Sequence, residues 1–376
     1  MVCPYDWSVP GGVQTHVSTL ATYFRDWGHD VTVFAPASKP EDVSASDCVV
    51  IGRPRSFRTS GSVQRITFSR KSKKVEAALG EGAFDVVHLH EPLMPLLPYY
   101  FLRHSQAVNI GTFHAARDNG HRLYSYSRPV TRRWFRKLDG KIAVSPAAVS
   151  LVSRYFDGYF NVIPNGIDFA WWSAERTGRP EFADGKKTIL FVGRPEKRKG
   201  LKYALRAFAE LRERRDDIRL VVVGAGDFHR YERAMHDVED VVFRANVPYD
   251  ELPTYHASAD VFCAPNTGNE SQGYVLMEAM AAGVPTVASN IEGFAGVITD
   301  GVDGVLVKPK DAGALARAVD AVLGDQALAL KLSAAGRARA ATYAWDKVAR
   351  RVLSYYERLV YEREQVAEAA RRRIEG

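Results

Sequence analysis

The chain has 376 residues, 25% of them charged and 46% hydrophobic, the make-up of an ordinary globular protein with room for two domains. No stretch reaches the roughly 18 consecutive apolar residues of a membrane span, and Cys3, Cys48 and Cys263 are too few and scattered for a disulfide framework or a zinc site. They suit a reducing compartment, the cytoplasm. The formal net charge of +7 is unevenly placed. Gly52 to Lys74 holds eight basic residues and no acidic one, and Arg117 to Lys141 holds eight more against Asp118 and Asp139. Such clusters suit an anionic partner (nucleic acid, acidic lipid or a phosphorylated substrate), with a solvated basic surface as the plainer alternative for either one.

In chain order, Met1-Val2-Cys3-Pro4 begins in the middle of what reads as a strand. It is short for the first strand of a parallel sheet, so a few natural residues are expected upstream of Met1. Asp6, Arg25 and Asp26 and the lack of a long apolar core argue against a secretory signal in the first thirty residues. Pro10-Gly11-Gly12 opens a helix with apolar residues at 13, 17, 20, 21 and 24. Strands are expected at Val31 to Ala35 and Asp47 to Gly52, a polar turn from Ser60 to Arg65, and a helix, basic on one side, from Arg70 to Leu79. Asp85 to His90 and Asn109 to Phe113 read as buried strands, ending in His90-Glu91-Pro92 and in His114. Histidines at the carboxyl ends of parallel strands stand where open α/β sheets bind ligands, although a single histidine is more often structural. Lys141 to Ser145 and Asn161 to Ile163 complete this series, and Pro164 to Asp168 reads as a turn between domains.

A second strand–helix series starts at Lys187 to Gly193, followed by Arg194 to Gly200 and a helix from Leu201 to Arg214. Strands are expected at Leu220 to Gly224, Val241 to Phe243, Val261 to Ala264, Thr286 to Ala288 and Val305 to Val307. Two such series make an α/β protein of two doubly wound Rossmann-like domains facing across a cleft. The tail, Asp346 to Glu368, carries apolar residues at 348, 352, 355 and 359, and is long enough as a helix to cross back to the first domain. Expected boundaries are 1–165 plus 346–376 for the first domain and 166–345 for the second.

The stretch Gly268 to Gly283 is the centre of the chemistry. A glycine-rich loop enters a helix from Val275 to Ala282, stopped by Gly283 and Pro285. A helix start of this kind offers unpaired N–H groups to a phosphate. Glu270 on the loop and Glu278 in the helix can grip different hydroxyls of one ligand, which suits a sugar nucleotide. A solvated glutamate pair around a glycine-capped helix is the bland alternative.

Together these residues resemble the retaining nucleotide-sugar glycosyltransferases with the GT-B fold, glycosyltransferase family four. The likeness rests on Gly11-Gly12, Gly193-Arg194 with Lys199-Gly200, and Glu270 with Glu278, and extends from Met1 to about Trp345. Within that family the chain is similar to bacterial phosphatidylinositol alpha-mannosyltransferases, through Val2-Cys3-Pro4-Tyr5, Pro10 to His16, Gly61 to Arg65, His88 to Pro92 and Thr112 to His114. The resemblance implies mannose transfer from GDP-mannose, with retention, onto the inositol of phosphatidylinositol at the cytoplasmic membrane face. It implies Arg194 and Lys199 on the leaving diphosphate, where a forked donor and a point charge neutralise the developing anion. Gly12 would offer its N–H to the same diphosphate. Glu270 would hold the sugar, Glu278 the ribose, and the backbone of Gln272, Gly273, Tyr274 and Val275 would complete the donor seat. By the same resemblance the Ala245-Asn246-Val247 loop would take the base-contacting position, and His114 would lie beside the sugar and leaving phosphate. Tyr5 and Gln14 are implied near the inositol, and Arg65 at the lipid phosphate.

The sequence departs from its relatives at Asn119, where they carry lysine near the acceptor, at Ser60 in the polar turn, where they carry asparagine, and at Gln272 for phenylalanine. No Asp-x-Asp metal motif is evident and no cofactor is required, while assistance by a divalent cation such as Mg2+ stays open. Partners implied are the nucleotide sugar, phosphatidylinositol or another anionic acceptor, and an anionic membrane surface, which the Arg70 to Leu79 segment would meet. A soluble phosphorylated polyol or another glycolipid is an alternative acceptor. A nucleic-acid-binding protein is the alternative of another class, disfavoured because the basic stretches carry no reader motif.

Overall fold

The computed structural model describes residues 1–59, 62–67, 72–94, 96–120 and 122–375, with backbone only for 55–59, 62–67, 72, 122, 123 and 375. Two compact units emerge, Met1–Gly166 with Trp345–Gly376, and Ile167–Ala344.

The first unit runs α1 (Gly12–Asp26), β1 (Phe34–Ala35), β2 (Val49–Val50), β3 (Pro54–Thr59), β4 (Ser62–Thr67), α2 (Ser72–Gly82), β5 (Val86–His90), α3 (Leu97–His104), β6 (Val108–Phe113), α4 (Arg122–Phe135), β7 (Gly140–Ala143), α5 (Pro146–Ser153) and β8 (Asn161–Val162). Strands β5-β6-β7-β8 form a parallel sheet in that order, and β1 pairs in parallel with β2. Val2 joins the two, bridging Phe34 on one side and Leu89 on the other. The strand order therefore reverses between Val2 and β5, and the loops that follow these two strands share a crevice at their carboxyl ends.

The expectation of a polar turn over Ser60 to Arg65 needs correction. Residues 54–59 and 62–67 pair as antiparallel β3 and β4, with Arg65 opposite Ser56. Phe57, Arg58 and Thr59 face Gln64, Val63 and Ser62, so the polar residues lie along a hairpin rather than within a turn. Ser60, a candidate acceptor residue, lies outside the described residues, and Arg65 is described by its backbone only.

The second unit runs α6 (Phe169–Ser173), β9 (Lys187–Val192), α7 (Leu201–Arg212), β10 (Ile218–Gly224), α8 (His229–Ala234), β11 (Val241–Ala245), α9 (Leu252–Ala257), β12 (Val261–Ala264), α10 (Tyr274–Ala281), β13 (Thr286–Ser289), α11 (Glu292–Ala295), β14 (Val305–Val307), α12 (Ala312–Gly324) and α13 (Gln326–Ala340). Its sheet is wholly parallel in the order β11-β10-β9-β12-β13-β14, reversing between β9 and β12. Side chains alternate across it. Leu190, Val221, Val223 and Phe262 pack on the α10 side. Ile189, Phe191, Leu220, Val222 and Val261 pack on the side of α7 and α12. Both faces are covered, so these strands read as continuous apolar runs.

The chain closes with α14 (Trp345–Glu375), which returns to the first unit. Its apolar stripe, Val348, Val352, Tyr355 and Leu359, packs with Leu20 and Phe24 of α1 and with Val108 and Ile110 of β6.

Candidate active site

In the second unit the site forms where the strand order reverses, from the loops after β9 and β12. Gly193 opens the first loop, donating its N–H to Val223 at 2.8 Å, and a short 3-10 turn, Lys197–Lys199, leads to Gly200. Gly200 has φ +74°, and a Cβ there would lie 1.8 Å from the Pro265 carbonyl oxygen. Only glycine lets the two loops approach this closely. Thr267 N–H donates to Arg198 O at 2.8 Å and ties them together.

This clasp brings Lys199 to Glu270. One carboxylate oxygen of Glu270, Oε2, accepts from Lys199 Nζ at 2.7 Å, from an Arg198 guanidinium nitrogen at 2.9 Å and from Asn266 Nδ2 at 2.9 Å. Burial pushes the Glu270 carboxyl up, but the charges of Lys199 and Arg198 and their hydrogen bonds outweigh it and hold it below the ordinary range. Arg194 stands further out, its side chain 56% exposed and paired with Glu196 at 3.0 Å; Glu196 also accepts from Arg198 at 2.8 Å. Arg198 and Asn266 were given no role from sequence. A second cation beside Lys199 in the Lys-Arg-Lys run was the available signal for Arg198.

Helix α10 begins behind this cluster. Gly273, with φ +82°, caps it without a side-chain hydrogen bond, so the first N–H groups of Tyr274 and Val275 keep the open, positive end of the helix. Gln272 is buried and donates its amide to Met277 Sδ at 3.2 Å, which leaves its backbone as the part it can offer. Gly293 backs the loop, since a Cβ there would lie 2.0 Å from Glu270 O. Glu278, one turn into α10, receives Tyr249 Oη at 3.5 Å. Burial pushes its carboxyl up to about 7, against the opposing pull of Tyr249 and of the Lys199 charge. The two glutamates thus sit in contrasting environments, one charge-paired and one desolvated. Tyr249 stacks on Trp171, ring centroids 5.2 Å apart. Val247 is half-buried against the same core, after Asn246 at φ +54°.

In the first unit, Gly11-Gly12 starts α1 after an extended Gly11, with no side-chain cap. Gln14 donates its amide to Asp6 O and Val9 O, both at 3.1 Å, and so shapes the loop that carries Tyr5. His114 lies at the end of β6. Its Nε2 is 3.0 Å from His90 Nδ1, and His16 packs edge-on against both rings and against Trp345 of α14. His88 bonds Thr112 Oγ1 at 2.6 Å and the Tyr356 hydroxyl of α14. Burial drives His16 down to about 4 and His88, His90 and His114 well below the usual histidine range, so the cluster is neutral at pH 7. Asn165 hydrogen-bonds both His16 and His114. The sequence reading had placed it only in an interdomain turn.

Among the described residues, His16, His90 and His114 form a group that could hold a metal ion, with ligand atoms within 4.8 Å of one another. The His90–His114 hydrogen bond already engages two of those rings, which favours an imidazole network over a metal centre. Asn119 is exposed in the turn after β6.

Glu91 is the residue sequence reading passed over here. Its Oε1 accepts the N–H groups of His114 and Ala115, each at 2.8 Å, and its Oε2 accepts the Tyr124 hydroxyl at 3.2 Å. Burial raises its pKa against these three bonds and the Arg117 charge. Glu91→Ala is expected to lower unfolding stability by about 3 kcal/mol in urea, because buried donors lose their acceptor. Glu91→Gln should recover much of it; an unchanged midpoint in the alanine variant would show that other contacts hold the His114 loop.

Residues 175–339 match the family of Glycosyl transferases group 1, and residues 10–171 match Glycosyltransferase Family 4. The chain is 40% identical over 363 residues to the phosphatidyl-myo-inositol mannosyltransferase of Mycobacterium leprae (strain TN), covering 95% of this chain and 96% of that one. Its identity to the protein of the same name from Propionibacterium freudenreichii subsp. shermanii is 34%, covering 95% and 93%. Among solved structures, a glycosyltransferase from Rickettsia africae ESF-5 superposes with TM-score 0.77 at 19% identity, covering 96% of this chain and 97% of that one. Anabaena Alr3699/HepE, solved in complex with UDP-glucose, superposes with TM-score 0.71 at 16% identity, covering 95% and 98%. These two show the fold, GT-B, in which both units are Rossmann-like. With two family matches across nearly the whole length and this identity to curated relatives, the chain belongs to glycosyltransferase family 4, among the phosphatidyl-myo-inositol mannosyltransferases.

Proposed function

We propose that this enzyme transfers mannose from GDP-mannose, with retention of anomeric configuration, to the inositol of phosphatidylinositol. The observation that carries the donor half is the Lys199–Glu270–Arg198 cluster beside the uncapped start of α10. Two cations and a helix N-terminus at one strand-order reversal suit a diphosphate. In this reading Arg194 and Lys199 take up charge on the leaving diphosphate and Arg198 joins them, while Gly12 is read as offering its N–H to a diphosphate. Glu270 accepts sugar hydroxyls on the oxygen face its three donors leave, and Glu278 accepts from the ribose. Neutral His114, held by Glu91 and Asn165, donates a hydrogen bond near the sugar without adding a charge of its own. The acceptor hydroxyl attacks from the face the diphosphate leaves, and its proton passes to the departing phosphate oxygen. No side chain is assigned as nucleophile.

For the acceptor, Tyr5 and Gln14 are read as lining the inositol seat and Arg65 as meeting the lipid phosphate; Ser60 and Asn119 are read at its rim. A lipid acceptor places the enzyme at a membrane face, the cytoplasmic one for a cytoplasmic donor. Among the described residues no helix is long and apolar enough to cross a membrane, so a peripheral attachment is the form this reading takes.

The test is release of nucleoside diphosphate from GDP-mannose and from UDP- and ADP-sugars, with and without phosphatidylinositol in vesicles. Lipid-dependent GDP release is expected. Release from another donor, or indifference to the lipid, would overturn the donor or the acceptor assignment respectively. Arg65→Ala is expected to raise the acceptor KM about tenfold or more while the donor KM stays within about twofold, as loss of one charged hydrogen bond predicts. Equal changes in both constants would make Arg65 structural.

A further inference from the structure

Helix α14 is longer than the surface it packs on. It has 31 residues, about 46 Å at 1.5 Å per residue. Its first half is seated by Val348, Val352, Tyr355 and Leu359. From Tyr361 to Ile374 every residue is exposed, and Arg363 ties the point of departure to Gln106 O. The apolar spacing does not stop where the packing does. Val366, Ala370 and Ile374 follow Leu359 at intervals of seven, four and four. At 3.6 residues per turn all three lie within about 60° of Leu359 around the helix. The stripe that is buried on the first unit thus runs on uncovered, with Val366 71% and Ile374 86% exposed.

Charge beside this stripe is segregated along the helix. Glu362, Glu364 and Glu368 come first, and Arg371, Arg372 and Arg373 close it. Glu362 and Arg373 flank one edge of the stripe, Glu364 and Arg371 the other. Glu368 and Arg372 lie on the opposite face and pair with each other within the helix. A two-fold axis that sets two such helices antiparallel lays each edge against the same edge of the other copy. Glu362 stands as far before the midpoint between Ala367 and Glu368 as Arg373 stands after it, and Glu364 and Arg371 share that midpoint. One register therefore brings Glu362 of each copy to Arg373 of the other, and Glu364 to Arg371, along both edges at once. Val366 falls beside Ala370 across the seam. A parallel pairing would set like charges level instead, and an anionic lipid or nucleic acid would meet the glutamates.

We propose that the exposed end of α14 is a self-association surface, which pairs antiparallel with α14 of a second copy of this chain. The pairing depends on neither the donor nor the acceptor reading above, and its test needs no turnover. A seam this short makes a concentration-dependent dimer rather than an obligate one. The experiment is sedimentation equilibrium of the full chain from about 1 µM to about 1 mM, at low and high salt. The parent is compared with Glu362→Lys/Glu364→Lys, with Arg371→Glu/Arg373→Glu, with an equimolar mixture of these two variants, and with Val366→Asp.

The parent should pass reversibly from monomer to dimer as concentration rises, and less readily at high salt. Each charge-reversed variant should self-associate at least about tenfold more weakly, because exposed pairs worth a few tenths of a kcal/mol apiece all turn repulsive. Mixing the two should restore a dimer of about parental strength, since every pair across the seam is then of opposite sign. Damage confined to the helix itself is not repaired by mixing. Val366→Asp should stay monomeric, with thermal midpoints showing that all the variants fold. A parent that remains monomeric throughout would overturn the proposal. So would a dimer that neither charge reversal weakens, or reversed variants that fail to pair when mixed. Capture of neutral phosphatidylcholine vesicles by a monomeric parent, lost in Val366→Asp, would give the stripe to lipid instead.

Discussion

Lys199→Ala is expected to lower kcat/KM for the nucleotide sugar by about 100- to 1000-fold, the usual cost of removing one group that stabilises transition-state charge. The structure explains why no neighbour replaces it. Lys199 is 13% exposed and reaches Glu270 at 2.7 Å, so it is the innermost cation of the cluster. Without it Glu270 keeps Arg198 and Asn266, yet the carboxylate then stands less compensated beside an arriving diphosphate. Two anions facing one another in a partly desolvated site raise the cost beyond that of a lost hydrogen bond. Lys199→Arg keeps the charge but presents a wider fork behind Gly200, and partial recovery is expected. Arg194→Ala should also slow turnover, by less, since Arg194 is exposed and rests on Glu196. Steady-state rates, read beside thermal midpoints, decide the matter. A Lys199→Ala rate within about threefold of the parent, in a folded protein, would remove Lys199 from the mechanism.

Glu278→Gln is expected to change stability and donor binding in opposite directions. Its carboxyl stands at about 7 in the folded chain against an ordinary 4.5, because burial penalises the charged form. Between those values the native state holds a proton that the unfolded chain has released. Stability from this group is therefore complete below pH 4.5 and is lost as the pH rises through 7, by about 3 kcal/mol for a shift of this size. Glutamine carries no such penalty, so the variant should match the parent near pH 5 and exceed it at pH 8. Donor binding runs the other way. The carboxylate accepts ribose hydroxyls best when ionised, so parent affinity for GDP should rise as the pH passes 7. The glutamine variant should bind about tenfold more weakly above that pH, with a flat profile. Denaturant unfolding at pH 5 to 8 and calorimetric titration with GDP read the two effects separately. A parent whose stability is independent of pH in this range would mean that Glu278 is ionised throughout, and would sink the prediction.

Sequence alone determined the alternation of strands and helices, because buried parallel strands appear as apolar runs between glycine-rich turns. It determined the tail helix through its stripe at 348, 352, 355 and 359. It also marked the loops bearing Lys199, Glu270 and His114, since glycines and charged residues at strand ends stand out in one dimension. The β3–β4 hairpin was read as a turn because charged and hydroxyl side chains masked its two-residue pairing pattern. What only the tertiary structure decided is which charges meet. Arg198 and Asn266 reach Glu270 because Gly200 lets the loop after β9 press on Pro265, a contact across 65 residues of chain that no local pattern encodes. Glu91 holds His114 because β5 and β6 are neighbours in the sheet, and Asn165 joins the imidazoles because the end of the first series folds back on α1. Spacing shows which residue types are present. Burial and charge partners, which separate Glu270 from Glu278, exist only once the chain has closed on itself.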